Sequence, residues 1–191
     1  LTPSPLFATA VLGASLISKL GTDEQKKRYL PEIANGNLTC CFAFEEGPRH
    51  NPKISEVTAE KKGEKFLING KKCFVVDGGF ADLIIIAAKS SKGTSLFLAQ
   101  KDSKGIEVKE AKMVDSRNSA NILFTGLEIN SENVLGEIDN AQDTIEEVLD
   151  IGRAAISAEM LGGALEAFEI TVNYLKEREQ FGVKIGSFQA L

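Results

Sequence analysis

The spacing of apolar residues changes twice along this chain and divides it into three stretches. In residues 6–20, apolar and small residues cover most sides of a helical pattern, which predicts a buried helix. Thr22 followed by Gln25 three positions later has the form of a capping box, which predicts the start of a second helix. We expect Pro31 to interrupt that helix and Asn35-Gly36 to end it.

The second stretch consists of short, β-prone runs bounded by glycine or proline. The predicted strands are residues 38–45, 56–61, 65–68, 71–76, 83–88, 94–100, 106–110 and 119–129. Residues 83–88 are apolar without alternation, which predicts a strand covered on both faces. Asn69-Gly70 is a strong hairpin signal between the third and fourth runs. Because the connections are short, we expect an antiparallel barrel or sandwich without parallel crossovers.

The third stretch, residues 137–178, contains no proline and carries apolar residues at helical spacing. It predicts one helix of roughly 60 Å, at about 1.5 Å per residue. Since a single helix cannot bury its apolar side alone, we expect self-association through it. The predicted fold class is α+β, an antiparallel β-barrel or sandwich flanked by helices, with a long helix that begins a C-terminal helical bundle. The predicted domains are residues 1–36, 37–136 and 137–191.

Composition narrows the classes of function. The 191 residues include 22 Lys plus Arg and 27 Asp plus Glu, a net charge of −5, which argues against a nucleic-acid surface. No apolar run approaches the roughly 20 residues of a membrane span, and no leader-peptide pattern is present. Cys40, Cys41 and Cys73 have neither disulfide nor metal-site spacing. These features predict a reduced, cytoplasmic protein without a membrane span or metal site.

The clearest chemistry lies near the end of the chain. Arg178 offers a planar fork of donors suited to a pyrophosphate, and the adjacent Phe181 can stack on a purine. The alternative is that Arg178 caps the C-terminus of the long helix and Gly182 terminates it. The residues alone leave both interpretations open.

Four motifs resemble those of the acyl-CoA dehydrogenase family, in the family's order and across nearly the whole chain. They are residues 177–182 (Glu-Arg-Glu-Gln-Phe-Gly) with 185–189, residues 21–31 with Gly36, residues 68–72 with 77–79, and residues 133–136. The resemblance implies that the chain is a fragment, without the family's N-terminal helices and most of its C-terminal bundle.

The resemblance also implies a cofactor, an activity and partners. The parent protein would use FAD to oxidise an acyl-CoA thioester to the 2,3-enoyl thioester, and would pass electrons to an electron-transfer flavoprotein. It would form a homo-oligomer through its C-terminal helices. Two alternatives stay open: a flavoprotein oxidase or monooxygenase on the same fold, and a non-catalytic homologue that acts as a binding or assembly module.

The family's FAD contacts fall on two groups of residues. By resemblance, the adenosine diphosphate part of a neighbouring subunit's FAD contacts Arg178, Gln180, Phe181 and Gln189. The positions near the flavin ring are Phe42, Phe44, Glu45, Phe74 and Val76. Glu45 replaces the family's threonine, Phe74 replaces its tryptophan, and Val76 lacks its hydroxyl. A carboxylate facing a ring that gains negative charge is unfavourable, so we expect Glu45 to turn away or to pair with Arg49.

The resemblance gives substrate contacts but no catalytic residue. Arg49 and His50, the only histidine, stand in the substrate-side loop, where they either contact a CoA phosphate or lie on the surface. Asp150 and Arg153 either lie near the acyl group or form a structural ion pair three residues apart. Most family members carry their glutamate base at a position that would follow Leu191. The alternative base position is Gly152, so we expect this chain alone to be inactive and to bind FAD weakly or not at all.

Overall fold

A computed structural model of the protein describes residues 4–51 and 53–189. They form two compact units, one that ends at Gly152 and one that begins at Arg153. No helix among these residues is both long and apolar enough to cross a bilayer.

The first unit opens with helices. A π-helical segment, Leu6–Ala14, continues directly into α1, Ser15–Leu20, which confirms the predicted helix. Helix α2, Asp23–Ala34, begins at the predicted capping box, in which Thr22 and Gln25 exchange hydrogen bonds of 3.0 and 3.2 Å. The prediction that Pro31 interrupts α2 is wrong. Pro31 removes only one backbone donor near the helix end, so the helix continues to Ala34.

Eight strands form one sheet in the first unit. They are β1 Cys40–Ala43, β2 Thr58–Lys62, β3 Lys65–Val76, β4 Leu83–Lys89, β5 Thr94–Gln100, β6 Ile106–Lys112, β7 Asn118–Asn130 and β8 Val134–Leu135. The order is β6-β7-β3-β2-β4-β5-β8, with β1 beside β4. Most pairs are antiparallel as predicted, but β1 pairs with β4 in parallel, and Thr58 pairs with Lys89 in parallel. The expectation of no parallel crossover is therefore wrong for β1.

The predicted hairpin at Asn69-Gly70 is absent, because β3 runs through both residues. The register against β7 shifts between Ile68 and Gly70, so the pair marks a bulge. Gly70 has φ 129°, and a Cβ there would lie 2.8 Å from the Cα of Val57. The hairpin instead joins β2 to β3 at Gly63, which has φ 64°. A glycine that permits a positive φ can form either a hairpin turn or a bulge, so the Asn-Gly pair did not distinguish the two.

The sheet separates two hydrophobic cores. One core gathers side chains of β1 to β5 and β7 on the inner face, where the rings of Phe66 and Phe97 lie 5.2 Å apart. The other lies between the outer face and the helices, and includes Leu16, Ile17 and Phe42. The first six residues of β4 are buried, which confirms the strand predicted to be covered on both faces.

Helix α3, Gln142–Glu177, begins five residues later than predicted. Asp139 has φ 67°, and its carboxylate accepts hydrogen bonds from the backbone N–H groups of Lys92 and Gly93 and from the hydroxyls of Ser90 and Ser91. These donors, with the Ser90 hydroxyl contributing most, lower the pKa of Asp139 to about 2. The segment before α3 is thereby tied to the β4–β5 turn rather than coiled into the helix.

The second unit contains the rest of α3 and a short hairpin. Strands β9, Glu179–Gln180, and β10, Val183–Lys184, pair antiparallel and lead into a 3₁₀ turn, Ile185–Ser187. Several large apolar residues of this part of α3 are exposed, as the sequence predicts. They are Met160, Leu161, Leu165, Phe168, Ile170 and Tyr174.

Candidate functional site

A cleft of about 730 Å³ lies in the first unit beside the loop that follows β1. The lining residues come from that loop, from β3, and from the β6–β7 region. They are Glu45, Gly47, Pro48, Arg49, His50, Lys71, Cys73, Phe74, Ala111, Lys112, Met113, Ser119 and Asn121. The fold thus brings four of the predicted site residues together: Glu45, Arg49, His50 and Phe74.

The Glu45 carboxylate contacts His50 rather than Arg49. The Nδ1 atom of His50 lies 2.5 Å from Oε1 of Glu45, and the backbone N–H of Asn51 lies 3.4 Å from Oε2. The expected Glu45–Arg49 pair is therefore replaced by contacts with His50 and with the backbone of Asn51. The Glu45 carboxylate therefore has hydrogen-bond partners within its own loop.

Glu46 holds the base of the same loop. Its carboxylate accepts backbone hydrogen bonds of 2.9 Å from Ser55, Glu56 and Val57, where the chain returns to the sheet. Burial raises the pKa of Glu46, but these three N–H groups and Lys72 outweigh it and hold that pKa below its usual value. The Glu46 side chain therefore holds the two ends of this loop together.

Lys72 completes this arrangement from β3. Its side chain is fully buried, and Nζ donates to the carbonyl of Phe44 at 2.8 Å and to Oε1 of Glu46 at 3.0 Å. Burial lowers the pKa of Lys72 to about 8, despite the opposing attraction of Glu46. Neither Glu46 nor Lys72 was among the predicted site residues. Lys72 lies within one of the family-like motifs, yet only the strand register shows that it points inward.

A bulge in β3 delivers Phe74 to the cleft. The register against β7 shifts between Lys72 and Val75, and Phe74 has φ 51°. Such a backbone is costly for an aromatic residue and is held here by the hydrogen bond of its N–H to Oδ1 of Asn121 at 3.3 Å. As a result, Phe74 is 55% exposed, whereas Lys72 and Val75 of the same strand are buried.

The other predicted flavin-ring positions lie outside the cleft lining. Phe42 and Phe44 are buried in the core under the helices, with ring centroids 5.4 Å apart. Val76 is half-buried at the end of β3, paired with Ser119 of β7. Phe44 does not line the cleft, but its ring centroid lies 6.2 Å from that of His50, which does.

The predicted adenosine diphosphate group lies in the second unit. Arg178 follows the last residue of α3, and its backbone N–H donates to the carbonyl of Tyr174. Gly182 does not end the helix, because it forms the β9–β10 turn with Phe181, both at positive φ. This turn leaves Phe181 93% exposed, with the ring of Phe188 edge-on to it at 6.4 Å between centroids. Gln180 and Gln189 are exposed as well.

The predicted acyl-end residues lie on α3. Asp150 and Arg153 are both exposed, and their role near the acyl group stays a prediction. Gly152 is buried, and a Cβ there would lie 3.0 Å from Cδ2 of Leu12. Among residues 4–51 and 53–189, no group of three or more His, Cys, Asp or Glu side chains is arranged to hold a metal ion.

Sequence profiles of three domains match the chain in order. They are "Acyl-CoA dehydrogenase, N-terminal domain" at residues 2–37, "Acyl-CoA dehydrogenase, middle domain" at residues 41–128, and "Acyl-CoA dehydrogenase, C-terminal domain" at residues 143–191. The three matches correspond to the helices, the sheet, and α3 with its hairpin.

Individual relatives agree with these profiles. A short-chain-specific acyl-CoA dehydrogenase of Clostridium acetobutylicum is 33% identical over 97% of this chain and 52% of its own length. The caffeyl-CoA reductase–Etf complex subunit CarC of Acetobacterium woodii is 33% identical over 90% of this chain and 48% of its own length. The structure of butyryl-CoA dehydrogenase from Megasphaera elsdenii superposes with a TM-score of 0.90 at 27% identity, covering 97% of this chain and 51% of that one. The chain spans about half the length of the curated relatives it matches, and it belongs to the acyl-CoA dehydrogenase family.

Proposed function

We propose that this chain is part of a flavin-dependent acyl-CoA dehydrogenase that oxidises a CoA thioester to the 2,3-enoyl thioester. The observation that carries the proposal is the match to all three family domains in order, at residues 2–37, 41–128 and 143–191. The domain boundaries predicted from the sequence, residues 1–36, 37–136 and 137–191, are part of the proposal. The cleft beside Phe74 supports it, since the fold gathers there four residues that the resemblance marks for cofactor or substrate.

The cleft fits the FAD that family membership implies. Its volume of about 730 Å³ is within the range of cofactor pockets, roughly 300–1,000 Å³. Phe74 offers an exposed aromatic face for a flavin ring, and Ser119 and Asn121 offer polar groups beside it. When bound, FAD supplies the acceptor for the hydride that leaves Cβ of the thioester. Residues of the second unit, Arg178 and Phe181 above all, would hold the adenosine diphosphate of a neighbouring subunit's FAD.

No residue of this chain is proposed as the base. Gly152 has no side chain, and a Cβ there would already lie 3.0 Å from Cδ2 of Leu12, closer than an ordinary contact. Arg49 and His50 are proposed to bind the substrate side of the cleft, and Asp150 and Arg153 to lie near the acyl group. We propose an electron-transfer flavoprotein as the redox partner, which the name of the Acetobacterium woodii relative supports. A cytoplasmic location remains a prediction.

A second candidate is the reverse reaction, reduction of a 2,3-enoyl thioester. The caffeyl-CoA reductase complex subunit among the relatives favours it. Both directions interconvert the same two thioesters with the same cofactor in the same cleft. They therefore differ in driving force rather than in the residues of this chain. A flavoprotein oxidase or monooxygenase and a non-catalytic binding module are the remaining alternatives.

A chimera tests the proposed function. If the parts of the Clostridium acetobutylicum relative that lie outside the matched region are joined before Leu1 and after Leu191, we expect the chimera to bind FAD. A short-chain acyl-CoA should then bleach the bound flavin under anaerobic conditions. The chain alone should bind FAD more weakly than micromolar, which would need about 8 kcal/mol. One charge-assisted contact from Arg178 supplies only about 1.5–3 kcal/mol. Flavin fluorescence and absorbance measure both steps.

Each alternative gives a different result in this experiment. A chimera that retains FAD yet is not reduced by any acyl-CoA supports the non-catalytic module and contradicts the proposal. Rapid reoxidation by oxygen, without an electron-transfer flavoprotein, identifies an oxidase or monooxygenase. Micromolar FAD binding by the chain alone, lost in Arg178→Ala, contradicts the expected division of the FAD site.

The proposed homo-oligomer contact is the exposed side of α3. Leu161 and Phe168 are 61% and 66% exposed and lie two turns apart on the helix, so an apolar surface remains for a second copy to cover. We expect the chain to sediment as a dimer or larger species, and Leu161→Glu with Phe168→Glu to shift it to monomer. Val114→Glu is the control, because Val114 is even more exposed but lies in the first unit. A wild-type monomer at high micromolar concentration contradicts this expectation.

A further inference from the structure

The bulge in β3 determines which way Phe74 points. Between Lys72 and Val75 the register against β7 shifts, so two residues of β3 face a single residue of β7. In a regular strand, residues two positions apart point to the same face of the sheet, so Phe74 would follow Lys72, whose side chain is fully buried. The bulge breaks this alternation. Phe74 lines the cleft, and Val75 takes the buried position instead.

This arrangement is unfavourable for Phe74 itself. Its side chain is larger than that of Val75, so burying the valine in its place leaves more apolar surface in water. The left-handed backbone of Phe74, at φ 51°, adds strain. The hydrogen bond from its N–H to Asn121 is long, at 3.3 Å. Contacts elsewhere must therefore hold the bulge, and they determine whether the cleft contains an aromatic ring.

The compensating contacts tie the bulge to the three residues that follow β1. Nζ of Lys72 donates to the carbonyl of Phe44 at 2.8 Å and to the carboxylate of Glu46 at 3.0 Å. The backbone N–H of Cys73 donates to the carbonyl of Glu45 at 2.7 Å. A charged donor makes stronger hydrogen bonds than a neutral one, and full burial prevents water from replacing its partners. The ammonium is therefore the strongest tie on the bulge.

We propose that Lys72 is a positioning residue for the flavin ring, because its buried ammonium fixes the bulge that directs Phe74 into the cleft. Lys72 is not among the described residues that line the cleft, so it acts through Phe74 and not on the cofactor directly. Glu46 serves as its counter-ion. The inference rests on the proposed function, since FAD is the group that Phe74 would meet.

The substitution Lys72→Met tests the tie in the chain itself. Methionine has a similar volume without the charge, and Glu46 keeps the three backbone hydrogen bonds that join the two ends of its loop. We expect the Cys73 amide proton to exchange at least about tenfold faster than in the wild type. The backbone chemical shifts of Phe74 should lose their left-handed values, while the amides at the ends of the loop stay protected. Nuclear magnetic resonance measures all three.

Lys65→Met is the matched control. Lys65 lies on the same strand and also pairs with a carboxylate, that of Glu128 at 2.7 Å, but it is exposed and lies away from the bulge. It should leave amide exchange and chemical shifts at the bulge unchanged. If Lys72→Met does not fold because the carboxylate beside it has lost its cation, the double substitution Lys72→Met with Glu46→Gln removes both charges. The same changes at the bulge are expected there.

The chimera described above tests the step from the bulge to the cofactor. Lys72→Met should slow bleaching of the flavin by acyl-CoA by about ten- to a hundredfold, because small displacements of positioned groups have effects of that size. It should also change the absorbance spectrum of bound FAD, which a loss of stability alone would not do. In a Phe74→Ala background, Lys72→Met should add little, since both substitutions act through the same ring.

Three results separate the inference from the proposed function. Wild-type exchange and chemical shifts at the bulge of a folded Lys72→Met variant overturn the inference. A changed bulge that leaves the rate of bleaching and the flavin spectrum of the chimera unaltered overturns it as well. A wild-type chimera that binds no FAD overturns the proposed function and the role in flavin positioning with it, while the exchange data still show whether Lys72 holds the bulge.

Discussion

Replacing Glu46 with alanine is expected to reduce the free energy of unfolding of the first unit by about 3–5 kcal/mol at neutral pH. The substitution leaves three backbone N–H groups without their acceptor at the loop neck and leaves Lys72 buried without its counter-ion. Urea unfolding followed by circular dichroism measures the loss. Glu60→Ala is the matched control, because Glu60 is exposed and its contact to Lys62 spans 3.6 Å, so it should change stability by less than about 1 kcal/mol.

The expected loss of stability in Glu46→Ala has two causes, the unpaired backbone N–H groups and the unpaired Lys72 ammonium. The pH dependence of the loss distinguishes them. Burial holds the pKa of Lys72 near 8 in the folded protein, below the usual value of 10.5, so folded Lys72 binds fewer protons than the unfolded chain between these values. Wild-type stability therefore rises with pH across that window, by the linkage between protons and folding. Without Glu46 the folded pKa of Lys72 falls further, so the ammonium's share of the loss disappears by about pH 8. A loss below about 1 kcal/mol, or one that grows above pH 8, contradicts this account.

Placing a carboxylate at the alternative base position is expected to damage the fold rather than create activity. A Cβ at Gly152 would lie 3.0 Å from Leu12 and 3.5 Å from Phe7, so Gly152→Glu forces a charged chain between α3 and the N-terminal helices. We expect a loss of more than about 3 kcal/mol from overpacking and an unpaired buried charge. Thermal unfolding followed by circular dichroism is the measurement.

A second glycine of α3 provides the control for this substitution. Nothing lies within 4 Å of a Cβ built at Gly162, so Gly162→Ala should stabilise the helix by about 1 kcal/mol. Gly152→Ala gains the same helix propensity but meets Leu12 and should be destabilised on balance. If Gly152→Glu unfolds at the wild-type temperature, the contact with Leu12 does not limit this position, and the chain could carry a base there.

Sequence patterns predicted the structure correctly where the deciding residues lie within one helix or strand. The Thr22 capping box and the unbroken apolar run of β4 each correspond to the structure. The errors came from contacts between elements. Asn69-Gly70 looked like a hairpin because nothing nearby in the sequence shows that β3 continues against β7. The start of α3 was displaced because Asp139 bonds to a turn that lies more than forty residues earlier.

The candidate site was predictable only in part for the same reason. The resemblance brought Glu45, His50 and Phe74 to attention, and the fold gathers them in one cleft. The prediction that Glu45 pairs with Arg49 was wrong. Which residue contacts Glu45 depends on the conformation of the loop and not on residue type, and the contact is made by His50. Glu46 and Lys72 were missed because a lysine becomes a buried counter-ion only through the register of a bulged strand.

The position of β6 at the end of the sheet has a consequence for association. An end strand offers unpaired backbone N–H and C=O groups to which a strand of another molecule can add. Here that strand alternates glutamate and lysine, with Glu107, Lys109, Glu110 and Lys112 among its seven residues. Charged side chains along an edge oppose strand addition because a neighbouring strand would have to desolvate them. The β6 edge is thus protected against strand addition, so the self-association proposed above would use the exposed apolar residues of α3 instead.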